Sequence, residues 1–223
     1  MILSLIRLRR GVSPHDVATL DRGDGYRAHR VIWDLFADSP DRRRDFLYRH
    51  ECVNGWPTFY AVSHREPIDN AGLWEITPKA YHPRLIAGQR LAFMLRVNPV
   101  RSKRDENGQQ HRHDVIMEAK TELKKSGEKV SKPDLIQTVG ERWLLERCSS
   151  LGFAVSPGGF RADGYQQLRF FKGNGGQPIT FSTLDFNGVL TVADSDTFVE
   201  KCLYSGIGPA KGFGCGLMLV KRA

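Results

Sequence analysis

Five glycines fall within eleven residues in the segment GIGPAKGFGCGLMLV, positions 206–220. No other stretch restricts the chain's possible folds as strongly. Glycine enters left-handed backbone conformations without steric cost and lets neighbouring atoms come close. One lysine, Lys211, stands in the middle, and a plain apolar run follows. A Walker A loop needs Gly-Lys-Ser/Thr between a strand and a helix. Here Lys211 follows Ala210, and the preceding stretch reads as helix. A dinucleotide fingerprint needs GxGxxG early in a βαβ unit, and Gly206, Gly208 and Gly212 have the wrong spacing. No nucleotide cofactor is expected. Two readings remain. One is a tight turn between the last helix and the last strand. The other is a close-approach loop that offers backbone N–H groups and the Lys211 ammonium to an anion. Five glycines exceed what a turn needs.

The chain has 223 residues, enough for one large domain or two small ones. Lys and Arg number 33 against 25 Asp and Glu, a net charge of +8. That excess favours a polyanion such as nucleic acid, or an acidic membrane surface. The opening MILSLIRLRR places its arginines after the apolar stretch. A secretory signal has the reverse order, and alternation in Ile2, Leu3, Leu5, Ile6 and Leu8 reads as a strand. No segment approaches the apolar length of a membrane span, so no membrane partner is expected. Cys52, Cys148, Cys202 and Cys215 form no CxxC pair. Four reduced thiols suit a cytoplasmic protein. His111, His113 and Asp114 lie close together, but no further ligands are spaced to complete a metal site. No metal is expected.

Periodicity predicts strands over 2–8, 45–51, 58–63 and 89–100, with a helix near 25–37. The polar, turn-rich stretch 101–114 reads as a linker or exposed loop. A short helix at 114–125 and a loop at 126–133 follow. A longer helix covers about 134–150, where Ile136, Val139, Trp143, Leu144 and Arg147 recur at helical spacing. Glycine-punctuated strands come next. A helix over 194–206 then has Asp or Ser as its cap and Gly206 as its stop. The order β-α-β-β-(α)-β runs twice, which is the split βαβ layout. The expected fold is α+β, with tandem ferredoxin-like (RRM-like) domains whose antiparallel sheets carry helices on one face. Residues 1–100 are expected to form an N-terminal domain, 101–133 a polar linker or insertion, and 134–223 a C-terminal domain.

The helix DGYRAHRVIWDLF (24–36) carries the second candidate site. Asp24 reads as its N-cap. Ala28, Val31, Ile32, Leu35 and Phe36 form its core face, and His29 borders that stripe. Tyr26 and His29 are three apart and share a face. Read from spacing alone, His29 is a core-margin histidine satisfied by a backbone carbonyl. The functional alternative is a phosphodiester held near the helix N-terminus, with Arg27 and Arg30 beside it and His29 exchanging protons.

These stretches together resemble a known family. GIGPAKGFGCGL is similar to the signature of the CRISPR-associated endoribonucleases of the CasE type, in the RAMP superfamily. YRAHRVIWDLF followed by RRRDFLYRHE resembles that family's first helix and second strand, and LRVNPV and GVLTV also match. The likeness covers most of the chain and loosens over 101–133. It implies a metal-independent endoribonuclease without cofactors that cuts CRISPR repeat stem-loops in precursor crRNA at the 3′ base of the stem. The 2′-hydroxyl attacks the adjacent phosphate, leaving a 2′,3′-cyclic (or 3′) phosphate and a 5′-hydroxyl. The enzyme then keeps its hairpin and joins the other Cascade subunits. Carried over, His29 falls on the catalytic histidine and Tyr26 on a tyrosine one turn before it. Lys211 is implied beside a phosphate, with Gly208, Gly212, Gly214 and Gly216 allowing its approach. The segment GFRADGYQQLRFFKGNGG (159–176) resembles the stem-binding hairpin, with Arg161, Gln166, Gln167, Arg169 and Lys172. The alternative is a RAMP-type subunit that holds guide RNA without cutting it.

Overall fold

A computed structural model describes residues 1–12, 25–37, 43–171 and 178–223, and for 25–27 the backbone alone. The first sheet contains β1 (Ile2–Leu8), β2 (Phe46–Val53), β3 (Trp56–Ser63) and β4 (Trp74–Ala80) in the order β2-β3-β1-β4. Every neighbouring pair is antiparallel. Helix α1 (Gly25–Asp34) connects β1 to β2 and covers one face. Its Ala28 and Ile32, with Leu35 and Phe36 just beyond, pack on Ile6, Leu8, Phe46, Tyr48, Phe59 and Trp74. Strand order and direction are those of a ferredoxin-like sheet. Residues 64–73, between β3 and β4, contain no helix, so among the described residues α1 is the helix on that face.

The second sheet runs β11-β5-β10-β8, with β9 also paired to β10. Its strands are β5 (Arg90–Val97), β8 (Phe153–Ala154), β9 (Phe160–Phe171), β10 (Pro178–Val192) and β11 (Met218–Arg222). It is again antiparallel and in ferredoxin-like order, with β8 and β9 sharing one place. Helices α2 (Val115–Ser126) and α3 (Lys132–Cys148) cover one face. Asp114 caps α2 by accepting from the Ile116 and Met117 amides, and Ser131 caps α3. Trp143 lies under α3, stacked on Phe186, and its indole N–H donates to the Val100 carbonyl at 3.0 Å. A short α4 (Ser195–Thr197) continues as a π-helix over Phe198–Tyr204. Asp194 caps it and Gly206, at φ +75°, ends it, as the sequence predicts.

Two strand expectations change. Arg90–Val97 is not a fourth strand beside β1. It lies between β10 and β11 in the second sheet, joined to residues far along the chain. The strand that completes the first sheet is Trp74–Ala80, which contains Pro78. A proline in a strand pattern argues against a strand, but β4 is an edge, where a missing donor is tolerated. The stretch 101–114 is also no open loop. It forms a two-stranded ribbon, β6 (Val100–Arg104) and β7 (Gln110–Asp114). Asp105 Oδ1 closes its turn by accepting from the Asn107 and Gln109 amides at 2.9 and 2.8 Å.

The two sheets meet in an apolar contact and an ionic one. Leu47 and Val62 pack on Leu217, with Leu3, Tyr60, Tyr204 and Leu219 around them. Beside this lies a clasp. Asp185 of β10 takes a bidentate fork from Arg96 at 2.9 and 2.8 Å. Arg49 of β2 is 2% exposed; it lies 3.6 Å from Asp185 and pairs with Glu51. Arg96 also donates to the His50 carbonyl at 3.2 Å. Cys148, Cys202 and Cys215 are buried, and burial raises all three thiols; Cys148 and Cys215 reach about 12. Cys52 is exposed. No helix among the described residues is long and apolar enough to cross a membrane.

Removing one partner from a buried pair strands the other charge. Asp185→Ala removes the carboxylate that Arg96 grips but leaves Glu51 as the acid beside both arginines. The expected cost is about 1.5–3 kcal/mol for the lost charged hydrogen bonds, read as a lower urea midpoint at unchanged slope.

Candidate functional site

The glycine segment and helix α1, read separately in the sequence, meet in space. Between Gly206 and Gly216 the chain makes a compact loop containing a 3₁₀ turn at Lys211–Phe213. Ile207 N–H donates to the Gly216 carbonyl at 2.9 Å, and Gly216 N–H to the Arg96 carbonyl at 2.7 Å. Gly216 has φ +92°, and a Cβ there would lie 2.8 Å from the Ile207 oxygen. Gly214 has φ +82° and lies against the Tyr48 ring. No L side chain fits either place well. Gly206 presses on Leu47. Gly208 sits in more open space, and a Cβ on Gly212 would meet only His29, at 3.9 Å. Much of the close approach that the glycines permit is therefore to the protein's own first sheet.

The turn presents the Gly212 carbonyl to His29, whose Nδ1 lies 2.5 Å from the oxygen. A carbonyl only accepts, so Nδ1 carries the proton, and in the neutral ring Nε2 is the basic nitrogen. The sequence reading of a core-margin histidine bonded to a carbonyl is thus right in geometry. The carbonyl belongs to the glycine loop. The His29 ring is half-buried and stacks on Phe213 at 4.8 Å and 22°. Trp33 flanks it at 5.6 Å. Phe213 also contacts Phe170 and Phe181 near the turn end of the β9–β10 hairpin. One aromatic ring thereby joins the catalytic-helix candidate to the stem-binding candidate.

Sequence reasoning missed Tyr48. This residue is 1% exposed on β2, and its hydroxyl donates to the same Gly212 oxygen at 3.0 Å. Burial pushes its ionisation far above the ordinary phenol range, with a smaller contribution from Cys215 and an opposing one from Arg44. It stays neutral and keeps donating. The only signal was its alternation with Phe46 along a strand, which marks a core position rather than a site.

The other candidates divide. Lys211 donates to the Ser205 carbonyl at 2.7 Å, at the end of the π-helix. Burial, and then Arg44, lower its affinity for a proton. Its ammonium therefore caps a helix end, a recognised use of lysine. Arg30 is exposed on α1. Tyr26 and Arg27 lie in the first turn of α1, and their side chains are outside the described residues, as are Asp24 and Lys172. Along β9, Gln166 and Arg169 lie on opposite faces because strand side chains alternate. Gln166 lines a cleft of about 180 Å³ between the two halves, with Ala28, Tyr48, His50, Thr183 and Phe213. Arg169 lies over the Phe171 ring at 5.3 Å, on the side shared with Gln167. Arg161 is exposed and pairs with Asp163 at 2.7 Å. His111 pairs with Asp105 at 2.8 Å, and Asp114 is taken by the α2 cap, Tyr165 and Ser182.

A family model described as CRISPR associated protein matches residues 1–222. The chain belongs to this family. Within it the chain is of the CasE type. It is 29% identical over 201 residues to the CRISPR system Cascade subunit CasE of Escherichia coli strain K12, covering 87% of this chain and 90% of that one. It is 27% identical over 218 residues to the CRISPR-associated endoribonuclease Cse3 of Thermus thermophilus, covering 91% and 92%. A solved structure of the CRISPR endoribonuclease Cse3 bound to 19 nt RNA superposes over the whole of both chains, with a TM-score of 0.70 and 25% identity. The Escherichia coli Cas6e crystal structure shares the fold, with a TM-score of 0.58.

Tyr48 and His29 share one acceptor, so their hydrogen bonds compete for the same electron density. In Tyr48→Phe the Gly212 oxygen serves His29 alone and supports its imidazolium better. The His29 titration midpoint, followed by NMR of the ring Cε1 proton, is expected to move up. Stability should fall by about 0.5–1.5 kcal/mol for the lost hydrogen bond.

Proposed function

We propose that this CasE-type chain is an endoribonuclease that processes CRISPR precursor RNA and serves in Cascade, and that it cuts without a metal by 2′-hydroxyl attack. Family membership and the relatives' activities support the first part. The observation that supports the second is the joining of His29 to the Gly212 carbonyl. That bond fixes the ring and directs proton exchange to Nε2. The substrate is the stem-loop of a CRISPR repeat, cut at the 3′ base of the stem.

In the reaction the 2′-oxygen of the nucleotide before the cut forms a bond to phosphorus, and the bond from phosphorus to the 5′-oxygen breaks. The 2′-hydroxyl gives up its proton and the 5′-oxygen gains one. The products are a 2′,3′-cyclic phosphate and a 5′-hydroxyl. His29 Nε2 takes one side of this exchange. Tyr26, one turn earlier on α1, orients the phosphate or shares the proton. A phenol titrates near ~10, so it is the weaker base of the two. The glycine loop lies where the phosphate must come to meet His29, and Lys211 supplies positive charge there on release from Ser205. Arg27 and Arg30 add charge along α1. Arg161, Gln166, Arg169 and Lys172 grip the stem, whose A-form major groove is too deep and narrow for direct reading. After cleavage the hairpin stays bound, and the chain enters Cascade with it.

Single-turnover cleavage of a labelled repeat hairpin in EDTA tests the chemistry. The wild-type chain is expected to cut once. A copy with a 2′-deoxy nucleotide 5′ of the cut should bind equally and stay intact. His29→Ala should slow cleavage by about 10²–10⁴-fold with little change in affinity. If both RNAs bind and neither is cut, the chain holds guide RNA without processing it.

A further inference from the structure

The β6–β7 ribbon has two unlike faces. Its register places Arg101 opposite His113, Ser102 opposite Arg112, Lys103 opposite His111, and Arg104 opposite Gln110. Opposed residues share a face and successive residues alternate. Arg101, Lys103, His111 and His113 therefore lie on one side, and Ser102, Arg104, Gln110 and Arg112 on the other. The first side is neutralised and anchored. Arg101 pairs with Glu146 of α3 at 3.0 Å, and Lys103 with Glu118 of α2. His111 pairs with Asp105. Lys103, His113 and Arg101 together hold the Glu118 carboxyl below its ordinary range.

A two-stranded ribbon is at best marginally stable alone. These ion pairs and the bond from Trp143 to Val100 give it support. The second side contributes nothing of this kind. Ser102, Arg104, Gln110 and Arg112 are all exposed, and neither arginine has a carboxylate partner among the described residues. The nearby acids are otherwise placed: Asp105 is engaged by His111 and the turn amides, and Glu106 stands at the tip. Two diagonal arginines, roughly 7–8 Å apart across the strands, are thus left flanked by two neutral hydrogen-bonding side chains. That composition suits phosphates along one strand, where arginine forks and small polar groups make most backbone contacts.

The position of the ribbon narrows the ligand. At its root, Asp114 accepts from the hydroxyls of Tyr165 and Ser182, one on each strand of the β9–β10 hairpin. Asn98, just before β6, donates to the Ser182 carbonyl at 2.7 Å. The ribbon is therefore tied to the hairpin read as the stem grip. A cut at the 3′ base of the stem leaves the retained product only one continuation, the unpaired strand on its 5′ side. We infer that the Arg104–Arg112 face of the ribbon binds the phosphate backbone of that single strand. This rests on the endoribonuclease reading, and the test separates the two.

Filter binding across a salt series would compare a bare repeat hairpin with the same hairpin carrying a long 5′ single-stranded extension. The protein is the full chain, wild type or Arg104→Ala/Arg112→Ala. Each phosphate neutralised on a single strand contributes about 0.7 to the slope of log affinity against log salt. With the extended RNA, the double variant should lose about 1.4 from that slope. Its slope with the bare hairpin and its cleavage rate should equal those of wild type. Equal slopes for both proteins on the extended RNA overturn the inference. So does an equal loss on the bare hairpin, which would place the arginines on the stem. Unchanged RNA binding with lost Cascade assembly would assign the face to an acidic protein and overturn it too. If wild type binds neither RNA, the endoribonuclease reading itself fails.

Discussion

The carbonyl oxygen of Gly212 is the point on which the arrangement of this protein turns. It accepts from a histidine on the first helix and from a tyrosine buried in the first sheet, yet it belongs to a loop of the second half. A carbonyl reaches that position only if the backbone around it reverses sharply, which explains the positive φ at Gly214 and Gly216. Phe213, next in the chain, fills the space between the His29 ring and the aromatic residues near the turn end of the β9–β10 hairpin. Helix, sheet, loop and hairpin are therefore not independently mobile parts of a site. A shift in any of them changes the distance at one oxygen.

Two further contacts hold the halves in register, and their magnitudes suggest different roles. Burying side chains such as Leu47, Val62 and Leu217 contributes about 1.5–3 kcal/mol each. A buried ion pair is often no better than apolar side chains of equal volume. The Arg49–Asp185–Arg96 clasp thus adds little net attraction. Its effect is directional, because a bidentate fork tolerates little sliding or rotation. The apolar contact draws the sheets together, and the clasp sets where they stop.

Much of this was legible in the sequence, for local reasons. Alternation in β1, the apolar stripe of α1, and the Asp194 and Gly206 signals each act within a few residues. The glycine loop stood out because five glycines exceed what a turn needs, whereas His29, an ordinary core-margin histidine by spacing alone, stood out only through the family resemblance. What escaped was long-range. The pairing of Arg90–Val97 with β10 crosses much of the chain, and no local pattern distinguishes it from pairing with β1. Trp74–Ala80 was hidden by Pro78, whose missing donor matters only if the strand is not an edge. The ribbon's polar sequence resembles a linker because its support comes from acids on α2 and α3, not from apolar residues of its own. Tyr48 looked like core, and it is core; its hydroxyl acquires a second role only when the loop folds onto it.

The distribution of thiols has a practical consequence. Reagents such as maleimides react with thiolates, and burial keeps Cys148, Cys202 and Cys215 protonated and enclosed. Cys52 alone is exposed, near the end of the strand that carries Tyr48 and Arg49. The unmodified sequence therefore accepts a single spectroscopic reporter at a defined position. A dye there would sit on the first sheet, beside the clasp to the second, and could report their relative movement without any engineered residue.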